Sequence, residues 1–513
     1  SGKTNTLKLT PGTYYVREAK APKGFALDPT VHTVNVVSGQ TATVQSKDEP
    51  LFDPIGIVLQ KTATDNSYLN KSDMSDAEFE IAYYNEMLDK VEGKTPTRKW
   101  VLKTMKAQNG NYVSLLQDKY KVSGDAFYKS EKGSIVIPRG TVTIREIKAP
   151  KGYKVDSKVY VTHVDNDLNF KDQLVYNFGN TPKQPNKPLN PEIHTTALDR
   201  DTTDNIGSYG KNITLIDKVA YKELSENETY TVKGVLMDKA TGKPLMVNGK
   251  RVTAEKTFTV TKDNSTIDGN GARGTVELEF NVDSTVLAGK TTVVFEHLYY
   301  DKKEIATHTD IEDEGQTVHF SEIKTTAKSA ETGSMLGMPR EKEILIDTVK
   351  YTNLIPGKEY TIKGVLMDKD TGKPIKDENG RKITAEKTFT PNTAEGSIDL
   401  EFTYNSLLRQ GKTTVVFEDV YHNGIKVGTH ADINDKGQSI EYPNIHTSAD
   451  FKNLGRVNNG MVTILDKVSY KNLAPGKKYT VKGILMDKAT GKPFIANGKE
   501  VKGETTFTPI SST

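Results

Sequence analysis

Four polar residue types recur at apolar-phase positions in this 513-residue chain, and their functional groups could together perform an acyl transfer. Asp217 alternates in phase with Ile213, Leu215 and Val219. Asp347 does so with Leu345 and Val349, and Asp466 with Val462, Ile464 and Val468. Glu296 lies between Val294 and Leu298, and Glu418 between Val416 and Val420. Thr195 shares the phase of Ile193 and Ala197, Thr325 that of Ile323 and Ala327, and Thr447 that of Ile445 and Ala449. Gln316 aligns with Val318 and Phe320, and Gln438 with Ile440 and Tyr442. Alternate side chains of a strand share one face, so each of these groups is expected to point into a core.

Burying two carboxyls without a cation costs several kcal/mol unless one is neutralised. Two neighbouring acids solve this by sharing a proton, which raises one pKa. With a hydroxyl and a carboxamide beside such a pair, the Thr oxygen can attack the Gln side-chain carbonyl. Ammonia leaves and an ester remains between the first and last strands. A single polar residue in apolar phase is ordinarily a hydrogen-bonded core group or a bulge. Several of them, repeated in register, favour chemistry. Thr196 is the competing nucleophile, but it has the opposite phase and its equivalent in the third copy is Ser448, so Thr195 is expected to react.

The positions that carry these groups belong to internal repeats. The text TLIDKVAY…YTVKGVLMDKATGKPL…TAEKTFT, from Thr214, returns from Ile344 and again from Thr463. GKTTVVFE starts at Gly289 and at Gly411, and HTDIEDEGQ from His308 returns as HADINDKGQ from His430. The third copy has neither later block, so it is expected to be truncated. A different repeat precedes these: LTPGTYYVREAKAPKGF from Leu9 matches IPRGTVTIREIKAPKGY from Ile137. The expected domains are therefore 1–50, the C-terminal part of one module; 51–182; a stiff Pro-rich linker at 183–190; two full repeats at 191–320 and 321–442; and a truncated repeat at 443–513.

Period-two runs such as GTVELEFNV and GSIDLEFTY, with Pro-Gly and Thr-Gly-Lys-Pro turns, predict strands and tandem β-sandwiches arranged as a rod. One short helix is expected near residues 76–86. The formal net charge of +3 gives no field to recruit nucleic acid or anionic lipid. The absence of cysteine excludes disulfides, thiolate metal sites and Cys nucleophiles. No apolar run reaches the roughly 18 residues of a membrane helix. Gly289-Lys290-Thr291 lacks the earlier Gly of a phosphate loop, and His308, Asp310 and Asp313 match no metal-ligand spacing. No cofactor, no metal and no nucleic acid is expected.

The ordered motifs I-[HK]-T-[TS]-A, L-[IL]-D, V-V-F-E and H-x-D-I-x-D-x-G-Q, over residues 191–513, resemble the Thr–Gln ester-bond domains of Gram-positive surface adhesins, including VaFE-repeat proteins. The resemblance implies Ig-like β-sandwiches with autocatalytic Thr195–Gln316 and Thr325–Gln438 esters. It makes Asp217 with Glu296, and Asp347 with Glu418, the acid pairs. It gives His308 and His430 a part in proton transfer, and Asp313 and Asp435 a part in orienting the loop. The third copy keeps only Thr447 and Asp466. Residues 1–182, through G-T-x-x-x-R-E-x-K-A-P-K-G-[FY], resemble CnaB/SpaA-like prealbumin-type modules. That resemblance implies a Lys–Asn isopeptide, with Lys61 and Asn180 as partners and Glu146 as proton shuttle.

The expected function is structural: a stalk segment of a cell-wall-anchored adhesin or pilin, outside a Gram-positive cell, with single-turnover chemistry only. Its partners would be neighbouring repeats and, through parts beyond this chain, a host surface or matrix ligand. The alternatives are a domain that itself binds a collagen-like host ligand and, further off, a turnover hydrolase or transamidase.

Overall fold

The computed structural model describes residues 3–22, 25–46, 49–50, 52–53, 59–69, 73–129, 133–164, 183–451 and 462–513. Among them the regular elements are strands and short 3-10 turns, with no α-helix. The chain is all-β, a tandem array of Ig-like and prealbumin-like sandwiches. The helix expected near residues 76–86 is instead the strand Glu78–Tyr84. Its Ala and Glu residues favour a helix locally. However, Phe79, Ile81 and Tyr83 form one fully buried face, with Ala82 and Tyr84 buried on the other, and aromatic and β-branched residues make up most of the segment, as a strand in a packed sheet favours.

In residues 191–320, one sheet runs in the order Glu192–Asp199, Ile213–Leu224, Gly271–Val282 and Ser265–Asp268. The facing sheet pairs Thr229–Asp238 with Thr291–Tyr300, which also pairs with Lys303–His308 and Thr317–His319. Leu215, Val219, Leu278 and Phe280 meet Val232, Leu236, Val294 and Leu298 in one core. Each such side chain contributes roughly 1.5–3 kcal/mol on burial, a reserve against which the buried acids must be set.

Residues 321–442 repeat the plan. Glu322–Ser329, Glu343–Thr352 and Gly396–Tyr404 form one sheet. Tyr360–Asp368 and Thr413–His422 centre the other, with Ile425–His430 and Ser439–Glu441 beside the latter. Gly234 is opposite Glu296, and a Cβ there would come within 2.5 Å of the Phe280 ring. Gly364 is likewise opposite Glu418, against Phe402 at 2.5 Å. The missing side chain lets an aromatic ring close the core next to each glutamate.

In residues 443–513, Asn444–Phe451 pairs with Ile464–Lys471, and Tyr479–Ile484 with Lys502–Phe507, as separate two-stranded sheets. Near the other end, Gly12–Val16 pairs with His32–Val36. Between these regions, a five-stranded sheet that includes Glu78–Tyr84 and Gly140–Lys148 covers a core around Trp100. A four-stranded sheet accompanies it, with Lys183–Asn186 at its edge and parallel to Leu59–Ala63. The segment 183–190, expected as a linker, therefore begins as a strand. An edge strand tolerates Pro185, because a missing N–H can face away from the ladder.

Candidate functional site

Thr195 lies on the edge strand Glu192–Asp199, opposite Val219. Asp217, on the next strand, is opposite Ala197 on one side and Leu278 on the other. Glu296 comes from the facing sheet, between Gly234 and His308. Gln316 ends the 3-10 turn Glu314–Gln316, whose Asp313 cap accepts from the Gly315 N–H at 2.7 Å. Asp217, Glu296 and Gln316 are fully buried, and Thr195 is 8% exposed. Thr196 faces solvent.

The Thr195 hydroxyl donates to Glu296 Oε2 at 3.1 Å and is 3.3 Å from His308 Nδ1. Gln316 Nε2 donates to both Glu296 oxygens, at 2.9 and 2.8 Å. One carboxyl thus touches both the Thr195 hydroxyl and the Gln316 amide nitrogen. His308 Nε2 is 3.4 Å from Asp313 Oδ2. The Glu296 carboxyl and the Thr196 backbone N–H are the hydrogen-bonding neighbours of Asp217. The proton it shares with Glu296 belongs to the carboxyl pair itself. Burial pushes Asp217 up to about 7. Burial, with the Asp217 charge added, pushes Glu296 up to about 9. At neutral pH the pair keeps at least one proton in the core.

The second repeat assembles the same set. Thr325 donates to Glu418 Oε2 at 3.3 Å, and Gln438 Nε2 donates to that oxygen at 2.6 Å. Gln438 Nε2 also touches Thr325 Oγ1 directly. His430 Nε2 meets Asp435 Oδ2 at 2.8 Å, and Asp435 caps the Gly437 N–H at 2.6 Å. Burial pushes Asp347 up to about 6, and burial plus the Asp347 charge holds Glu418 well above the carboxylate range. In the third copy, Thr447 and Asp466 are on neighbouring strands but both are exposed.

A family model described as the T-Q ester bond containing domain matches residues 191–320, 321–442 and 443–513. The chain belongs to this family. The first two T-Q domains each hold one buried Thr and one buried Gln at a shared carboxyl. A second model, SpaA, a prealbumin-like fold domain, matches residues 1–50. No curated protein matches the chain. Among solved structures, it is similar to a Mobiluncus mulieris adhesin described as containing intramolecular disulfide, isopeptide and ester bond cross-links. That match has 13% identity and a TM-score of 0.23, covering 54% of this chain and 91% of that one. The Bacillus cereus major pilin subunit BcpA has 15% identity, a TM-score of 0.17 and coverage of 74% and 93%. The Corynebacterium diphtheriae major pilin SpaD has 10% identity, a TM-score of 0.18 and coverage of 72% and 87%. These structural likenesses are distant, and membership of the family rests on the T-Q match alone.

A second cluster lies ahead of the T-Q domains. Lys61 Nζ is 2.8 Å from Glu146 Oε1, with both side chains fully buried. Asn186 Nδ2 donates to Glu146 Oε2 at 2.9 Å and to the Lys154 carbonyl at 2.6 Å. Burial lowers the Lys61 pKa, although the Glu146 charge opposes the shift. Glu146 Oε2 also accepts the Asp156 N–H at 2.6 Å, a contact that Glu18 repeats with the Asp28 N–H at 2.7 Å. Asn180, the expected partner of Lys61, lies outside the described residues. Among the described residues, Asn186 is the asparagine that reaches this site, and it comes from the segment expected to be a linker. The parallel register that brings it there, Gln184 opposite Lys61 and Asn186 opposite Ala63, leaves no mark in a local pattern.

Proposed function

We propose that this chain is a stalk segment of a Gram-positive surface adhesin or pilin, and that its two complete T-Q domains close themselves with Thr195–Gln316 and Thr325–Gln438 esters. The observation that carries this is one buried carboxyl, Glu296 or Glu418, in hydrogen-bond contact with both the Thr hydroxyl and the Gln amide nitrogen. In the first domain, Glu296 takes the Thr195 proton as Oγ1 attacks Cδ of Gln316. Glu296 then passes that proton to Nε2 as the C–N bond breaks. A C–O bond has formed, and one ammonia is released. For this step the proton shared by the pair moves from Glu296 to Asp217, which frees Glu296 to act as the base while the core never holds two carboxylates. His308, aligned by Asp313, lies beside the hydroxyl and favours its alignment toward Cδ.

The product ties the edge strand Glu192–Asp199 to the turn before the last strand, Thr317–His319. Tension on the chain would otherwise peel those outer strands away. With Gln316 and Glu296 fully buried, water is kept from the ester and no outside substrate can enter, which separates this chemistry from turnover hydrolysis. In the preceding module, a neutral Lys61 amine attacks Cγ of Asn186, Glu146 relays the proton and ammonia leaves.

Intact mass with mapping of cross-linked peptides tests all three bonds. The expected deficit is one ammonia for each T-Q domain at 191–320 and 321–442, and one more for the Lys61–Asn186 pair. Glu296→Gln should remove the first deficit and leave the second. A mass equal to the plain sequence would overturn the proposal.

A further inference from the structure

Three equivalent segments read Tyr221-Lys222-Glu223-Leu224, Tyr351-Thr352-Asn353-Leu354 and Tyr470-Lys471-Asn472-Leu473. The third residue of each has a left-handed backbone, with φ of 59°, 60° and 60°. Each also sits where its T-Q domain meets the module before it. Asn353 Nδ2 donates to the carbonyls of Lys290 and Phe320, at 2.8 and 3.0 Å. Its Oδ1 takes the Thr291 hydroxyl at 3.0 Å and pairs with His319 Nδ1 at 3.1 Å. Every hydrogen-bonding position of this carboxamide is used, and every partner lies in the preceding domain. Asn472 repeats the grip on the Lys412 and Tyr442 carbonyls, at 3.1 and 3.2 Å. Lys290 and Lys412 are the lysines of the two GKTTVVFE blocks, so both sockets come from the same part of the repeat.

The first T-Q domain follows a different module and has a different residue. Glu223 accepts Lys154 Nζ at 2.6 Å and the Asn190 N–H at 2.8 Å. Neither residue type would work in the other's place. A glutamate at 353 would set its carboxylate against two carbonyl oxygens with no donor between them, so that like partial charges meet where a donor now bridges. An asparagine at 223 would give up the charge pair with Lys154.

We propose that this left-handed position reads the identity of the preceding module: Asn engages the tail of another T-Q domain, and Glu engages the tail of a prealbumin-type module. The partner that Asn353 and Asn472 fit is thus a second T-Q domain presenting the same two carbonyls. The carboxamide fixes the angle of that joint by filling the second acceptor site of two carbonyls already held in their own domain, and a mismatched pairing is disfavoured by the like partial charges it sets together. This rests on the tandem-domain reading but not on the ester chemistry.

The chain has no cysteine, so a spin-label pair at Lys256→Cys and Asn392→Cys reports the first joint between T-Q domains without ambiguity. Pulsed electron resonance on the full chain should give one narrow distance distribution. Asn353→Gly keeps the left-handed backbone without strain and removes only the carboxamide, so it should broaden the distribution about twofold. Asn353→Glu should broaden it further. Thr291→Ala acts from the other side of the joint, away from the turn of Asn353, and should broaden it less. Intact mass counts the ester bonds in the same samples, so failure of the joint is told apart from failure of the cross-link. If both Asn353→Gly and Thr291→Ala kept the parent's narrow distribution, the proposal would fall.

Discussion

The third T-Q copy and the first two share a threonine, an aspartate and a glycine, yet place them in opposite surroundings. Asp217 and Asp347 are fully buried, whereas Asp466 is exposed, and so is Thr447. A Cβ at Gly234 or Gly364 would collide with an aromatic ring, whereas one at Gly483 would meet nothing within 4 Å. The difference is the later half of the fold. The strands Gly271–Val282 and Thr291–Tyr300, and the turn Glu314–Gln316, bring the ring, the second acid and the amide. The described residues of the third copy include no counterpart of them. Reactivity here belongs to the closed sandwich, since the same Thr and Asp on two paired strands are ordinary surface residues.

The largest expected effect comes from turning the complete domains into unlinked ones. Thr195→Ala with Thr325→Ala should abolish both ester deficits in intact mass. In the second domain the bond would span 113 residues, and a covalent loop of that size contributes about 5 kcal/mol in the chain-entropy model. Calorimetry should show the unlinking as a fall of roughly 10 °C or more in the melting of those domains. An unchanged midpoint would mean that the esters add no equilibrium stability.

Amide exchange sharpens the contrast from the other side. Residues 443–513 should exchange far faster than 191–442, with Thr447 recovered as a free hydroxyl in peptide mapping. The third copy leaves Ile445, Phe451, Leu465 and Ile495 more than half exposed, so it lacks the packing that slows opening. Equal protection across 191–513 would remove the basis of the comparison.

A smaller effect concerns pH. Folding raises Asp217 to about 7 and Glu296 to about 9, against about 4 for carboxyls in an unfolded chain. The folded core then holds protons that the unfolded chain has released. The stabilisation is fully present below the ordinary carboxylate value and is lost as pH rises through the raised values. The Thr195→Ala, Thr325→Ala variant should therefore melt at progressively lower temperature from pH 5 to pH 9. A flat profile would show that the acid pair carries no shared proton.

The smallest expected effect is at Thr196. Its side chain is exposed, so Thr196→Ala should leave the ester intact and shift stability by less than about 0.5 kcal/mol. Loss of the first bond in this variant would make Thr196, rather than Thr195, the nucleophile.

The T-Q site was largely legible because alternation is a local signal. Thr195, Asp217, Glu296 and Gln316 each interrupt an apolar face, and the fold does turn each of them inward. At Glu78–Tyr84 the helix-favouring Glu78, Glu80 and Ala82 were a poorer guide than the aromatic and β-branched Phe79, Ile81 and Tyr83 beside them, which make it a strand. Asn186 was hidden because its strand contains a proline, Pro185, and pairs in parallel with a segment more than a hundred residues earlier. Asn353 was hidden for another reason. It looks like an ordinary turn residue, and its four partners belong to a different domain.

The glutamine of each pair sits in a late turn, Glu314–Gln316 or Lys436–Gln438, against the last strand to be synthesised in its domain. The hydroxyl, the first acid and the second acid can all be in place before that turn docks, yet nothing can react until it does. Sealing is therefore a final checkpoint on assembly. A domain that has lost its ammonia has proved that its two halves met in the correct register. The fraction still at full mass in any preparation counts the molecules that never finished folding.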